Sequence, residues 1–70
     1  MDIHVFKTGV TTSEAVSKVS SLLTAERAIA DWNFDLEDCD NILRVVGDLP
    51  ASKIERMLSR QGIYCQELSY

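Results

Sequence analysis

The sequence predicts an α+β fold of the ferredoxin-like type. The expected form is a four-stranded antiparallel sheet, strand order 4-1-3-2, with two helices on one face. Three observations predict it. Two stretches place apolar residues at helical spacing, after Ser13 and after Pro50. Each lies between stretches rich in β-branched and aromatic residues. The two middle strands are separated only by a short polar turn, so the order is β-α-β-β-α-β. Right-handed crossovers then fix the hand.

The elements follow in order. Ile3 to Thr8 is the first strand, ended by Gly9. Its inward parity is open, because Ile3 and Val5 compete with His4 and Phe6; a bulge near Lys7 would serve both sets. Thr11, Thr12 and Ser13 are all suitable N-caps for the next helix. Glu14 falls in its first turn, where the helix dipole favours an acid. Ala15, Val16, Val19, Leu22 and Leu23 give its apolar stripe, and the helix is expected to end near Thr24.

Ile29 to Leu36 alternates as a half-buried strand. Ala30, Trp32, Phe34 and Leu36 lie on one face, with Asp31, Asn33 and Asp35 on the other. A polar turn, Glu37 to Asn41, leads to a strand over Ile42 to Val46 with Leu43 and Val45 inward. Pro50 suits the first turn of the second helix, whose stripe is Ile54, Met57 and Leu58. Gly62 is its left-handed C-cap, and Ile63 to Leu68 is the last strand. This topology gathers three connections at one end of the sheet: Thr8–Ser13, Glu37–Asn41 and Gln61–Ile63. A site is expected there.

Composition bounds the function. The 70 residues, 46% hydrophobic, make one domain over 1–70, without linker, repeat or low-complexity segment. The net charge is −4, and the seven Lys and Arg are scattered among acids, which excludes a phosphate-binding surface. Two cysteines are too few for a secreted disulfide scaffold. The opening residues lack the apolar run of a signal peptide, and no stretch approaches the roughly 20 apolar residues of a membrane span. A cytoplasmic protein, bound to neither nucleic acid nor membrane, is expected.

In the stretch FKTGVTTSEAVSKV, from Phe6 to Val19, the chain resembles the heavy-metal-associated domain of small copper chaperones and metal-transport ATPases. The resemblance covers about Ile3 to Leu68. In that family the first loop carries Met-x-Cys-x-x-Cys, then a helix with Val at spaced positions. Here Val10 stands at the Met, Thr12 at the first Cys and Ala15 at the second, and Val16-Ser17-Lys18-Val19 continues the helix. Trp32-Asn33-Phe34-Asp35 and Ile42-Leu43-Arg44-Val45 resemble the family's hairpin, and Gln61-Gly62-Ile63-Tyr64 its second functional loop. The family's thiolates suit soft Cu(I). A Thr hydroxyl is hard and an Ala methyl coordinates nothing, so no metal is expected at Thr12 and Ala15. The resemblance implies a scaffold kept and a ligand pair lost.

Other candidate chemistry is thinner. The hydroxyls of Thr11, Thr12 and Ser13 at a helix start can attract an anion, but plain capping explains them. Asp31, Asn33 and Asp35 match the start of a calcium loop, yet Leu36 and Ile42 stand where that loop needs Gly and Glu. Asp35, Glu37, Asp38 and Asp40 with Cys39 form an acidic turn suited to solvent. Cys39 is a candidate exposed, oxidisable thiol. His4 and Cys65 would be neighbours across the adjacent first and last strands, but no third residue completes a nucleophilic site, and no enzyme or cofactor is expected. Trp32 is expected under a helix. Tyr64 is a candidate contact aromatic, and the open sheet face a second candidate contact surface.

Three functional readings follow. The first is a non-catalytic interaction module, its surface formed by Val10, Thr11, Thr12, Ser13, Gln61 and Tyr64. Its partner would be another protein, a metal-handling one or a second copy of itself. The second is a metal binder or transporter using Cys39, Cys65, His4 or the acidic turn. The third is a small-molecule-sensing regulatory domain.

Overall fold

The computed structural model describes residues 2–35 and 41–68. In chain order it forms β1 (Asp2–Thr8), α1 (Ser13–Ala25), β2 (Ile29–Asp35), β3 (Ile42–Gly47), α2 (Ala51–Ser59) and β4 (Cys65–Glu67). The strands make one antiparallel sheet ordered β2-β3-β1-β4. That is the predicted 4-1-3-2 order seen from the other edge. Of the expected turn over Glu37 to Asn41, residues 37–40 with Cys39 lie outside the described residues, as does the end of the strand at Leu36.

The core lies between sheet and helices. Phe6, Leu43 and Val45 from the sheet are fully buried against Val19 and Leu23 of α1 and Ile54 and Leu58 of α2. Fully burying an aliphatic or aromatic side chain of this size contributes about 1.5–3 kcal/mol. Trp32 and Phe34 pack partly buried against this cluster, edge to face with ring centroids 6.0 Å apart.

Several elements differ from expectation, each for a local reason. The parity of β1 is settled in favour of His4, Phe6 and Thr8, while Ile3 is 67% exposed on the open face. The β1–β3 register is unbroken from Asp2 to Lys7, so there is no bulge near Lys7. His4 faces inward because its polar atoms are satisfied: Nε2–H donates to the Leu49 carbonyl at 2.8 Å, and Nδ1 lies 3.3 Å from Glu67 Oε2. The bulge falls in β2 instead, between Ile29 and Asp31. It leaves Ala30 exposed and turns Ile29 toward the core, reversing the expected role of Ala30.

Helix α1 runs one residue further than expected, to Ala25. Pro50 is the N-cap of α2 rather than part of its first turn, with extended backbone at φ −72° and ψ 149°. Gly62 closes α2 as predicted: its φ is 74°, its N–H donates to the Ser59 carbonyl, and Ile63 N–H donates to the Leu58 carbonyl. Strand β4 is only three residues long, since this closure uses Ile63.

Candidate functional site

Strand β1 is antiparallel to both its neighbours, so its end meets the starts of β3 and β4. The buried Thr8 ties these parts together. Its hydroxyl donates to the Asn41 carbonyl at 2.7 Å and accepts from Val10 N–H at 3.3 Å. Asn41 sits at φ 49°, a left-handed conformation that Asn tolerates better than most residues. Gly9 N–H then donates to the Tyr64 carbonyl at 2.9 Å. A side chain on Gly9 would place its Cβ 3.3 Å from Tyr64 Cβ, so the two loops approach closely because position 9 is bare.

Of the three possible N-caps, Thr12 is the one used. Its backbone is extended, at φ −127° and ψ 158°, and its Oγ1 accepts from Ala15 N–H at 3.1 Å. The Thr12 carbonyl also accepts from Val16 N–H at 3.1 Å, the first turn of α1. The two positions singled out by sequence are thus joined, but as a helix cap. The Thr12 hydroxyl is engaged by backbone, and Ala15 offers only its methyl. A soft cation finds no donor pair there.

Thr11, Thr12, Ser13, Gln61 and Tyr64 are all exposed at this end, as the interaction reading requires. Val10 is not. It is fully buried in the core cluster, which removes its side chain from any surface; the hydrogen bond from its N–H to Thr8 holds the loop down. Between the two loops lies a cleft of about 460 Å³. Thr11, Thr12 and Ala15 form one wall, and Gln61, Gly62 and Tyr64 the other. Glu14 and Lys18 also reach it from α1. The sequence reading missed these two, although Glu14 lies three residues after Thr11 and Lys18 three after Ala15, a spacing that places them on that side of the helix. Tyr64 remains 53% exposed.

The other candidates are dispersed. Cys65 lies opposite Thr8, not His4, so the expected Cys65–His4 pair does not form; His4 meets Glu67 from β4 instead. Burial pushes the Cys65 thiol up to about 12, and the nearby Glu55 carboxylate adds to that shift. Such a thiol is a poor nucleophile and a poor ligand at neutral pH. Asp31, Asn33 and Asp35 lie along β2 and so do not form a calcium loop. Among the described residues no group of three or more His, Cys, Asp and Glu is placed to hold a metal ion. Also among them, no helix is long and apolar enough to cross a membrane.

No protein-family model matches the sequence, and no curated protein matches it. Solved structures do match in shape. A yeast copper transporter domain, solved in apo and Cu(I)-loaded states, superposes with a TM-score of 0.82 at 20% identity, covering 96% of this chain and 94% of that one. The apo form of the heavy-metal-associated domain of a copper chaperone for superoxide dismutase superposes with a TM-score of 0.83 at 21% identity. That match covers 96% of this chain and 66% of that one. At such identities the likeness is one of fold. The chain therefore has the βαββαβ ferredoxin-like fold, in the form taken by heavy-metal-associated domains.

Proposed function

We propose that this chain is a non-catalytic interaction domain linked to metal handling, built on the heavy-metal-associated scaffold but without its thiolate pair. One observation carries the reading. The end of the molecule where the resemblance puts two thiolates instead has a hydroxyl spent on a helix cap and a methyl, while keeping a cleft beside an exposed tyrosine. Thr11, Thr12, Ser13, Gln61 and Tyr64 form the docking surface in this reading, and the partner is a protein. Exposed tyrosines suit this role, since they offer a large rigid contact and a polar tip. The buried Val10 shapes the loop from beneath. The alternative of a metal site on His4 and Cys65 is weakened by their separation.

The test has two arms. Anaerobic Cu(I) titration, read by mass spectrometry against a competing chelator, is expected to leave the wild type metal-free. The Thr12→Cys, Ala15→Cys variant should take up one ion. Tight Cu(I) binding by the wild type, or a folded double variant that binds none, would overturn the lost-ligand reading. In the second arm a photocrosslinker at position 61 should yield a defined protein adduct in cells, and one at position 52, at the far end of α2, should not. Equal labelling from both positions would remove the docking surface.

A further inference from the structure

An open sheet has two outer strands whose outward N–H groups invite pairing with another chain. Here the registers show which groups these are. Gly9 N–H donates to Tyr64 and Leu68 N–H donates to Val5, so the alternate residue Glu67 turns its own N–H away from β1, toward the free edge of β4. The same alternation turns the Cys65 N–H outward as well and, carried across β1 and β3, turns the N–H groups of Trp32 and Phe34 toward the free edge of β2.

On each edge one of the two outward groups is occupied by a carboxylate from its own chain. Trp32 N–H donates to Asp31 Oδ1 at 2.9 Å. Glu67 N–H donates to Glu55 Oε2, reaching over from α2, also at 2.9 Å. The two edges are guarded by different routes, one from a neighbouring residue on the strand and one from a helix. Both receive a charge-assisted bond, stronger than the neutral bond that a second strand would offer. The β2 edge is further interrupted by its bulge, and β4 is short.

We propose that Asp31 and Glu55 guard the sheet edges and hold the domain monomeric, each occupying one of the two outward amides on its edge strand that a strand from a second copy would need. This inference does not depend on the proposed function, because it concerns the edges and not the cleft.

The experiment compares the wild type with Asp31→Ala, Glu55→Ala, the double alanine variant, and the isosteric Asp31→Asn and Glu55→Gln, whose side chains still carry an accepting oxygen. Sedimentation equilibrium over a range of concentrations gives the mass, and amide hydrogen exchange follows Trp32 and Glu67. The wild type should sediment as a monomer at all concentrations, and the double alanine variant should rise toward twice that mass. The Asn and Gln variants should associate less than the alanine variants. At dilutions where every variant is monomeric, the Trp32 and Glu67 amides should exchange faster in the matching alanine variants than in the wild type. A double alanine variant that stays monomeric, Asn and Gln variants that associate as readily as alanine, or unchanged amide exchange would each overturn the proposal. The exchange arm and the mass of the single alanine variants, which should rise at high concentration, keep the proposal open to refutation even if the double variant folds poorly.

Discussion

The loop before α1 and the loop after α2 face each other across the cleft and are held in opposite ways. The first is fixed by side chains: Thr8 bridges to Asn41 and Val10, Val10 fills the core, and Thr12 caps the helix. The second is closed by backbone hydrogen bonds around Gly62, with Tyr64 left half in solvent. The single bond from Gly9 to the Tyr64 carbonyl joins them. In the first loop the hydroxyls of Thr8 and Thr12 are spent on shaping it, while Thr11 and Ser13 are exposed. The difference teaches that a loop can be held in form either by its own hydroxyls and a core contact or by backbone closure alone.

The sharpest way to break the comparison is at Val10. If that residue anchors the first loop, Val10→Ala should leave a cavity and cost about 2 kcal/mol. For a chain of this size that is a large share of the net stability. Urea denaturation should show a lower midpoint with the slope unchanged. A loss below about 0.5 kcal/mol, the usual size of a surface effect, would mean the loop is not anchored there.

Gly62 tests the second loop, with the next largest effect. A Cβ at this position meets nothing within 4 Å, so crowding contributes nothing to the cost of a substitution. What remains is the left-handed backbone at φ 74°, which costs an L-residue about 1–2 kcal/mol. Gly62→Ala should therefore destabilise by about 1.5 kcal/mol, and Gly62→Asn by less, because Asn visits this region more readily. Equal losses for the two, measured by the same denaturation, would show that the loop is not set by backbone conformation.

Much of this architecture was legible in the sequence, and the exceptions have physical causes. The element order, the sheet order and the closure at Gly62 follow from periodicity and turn chemistry, which are local. The facing of β1 was not legible, because Ile3 and Val5 are apolar yet lie on the open side, while His4 lies inside with its polar atoms supplied by Leu49 and Glu67, far away in sequence. The bulge at Ala30 left no mark, since Ala fits either face of a strand. At the candidate site, the positions of Thr12 and Ala15 followed from the pattern. Val10 misled because its alignment with a loop position said nothing of its burial, which depends on the tether from Thr8. The short β4 displaced Cys65 from His4, a matter of register that residue types alone do not set.

The smallest effect falls on Thr12, and it separates the two roles that one residue can play. As an N-cap its hydroxyl satisfies Ala15 N–H, and losing such a cap costs about 1 kcal/mol. Thr12→Ala should destabilise by that amount. Thr12→Ser, which retains the accepting oxygen, should restore most of the stability, and Thr12→Asn should do likewise, because both are preferred N-caps. Amide exchange at Ala15 should quicken in the alanine variant alone, while the Gly62 loop across the cleft keeps its protection, since its hydrogen bonds are its own. If Ser and Asn failed to rescue, the hydroxyl would not be acting as a cap. If instead the Gly62 loop loosened together with the helix start, the two loops would form one cooperative unit, and the contrast between them would collapse into the single bond from Gly9 to Tyr64.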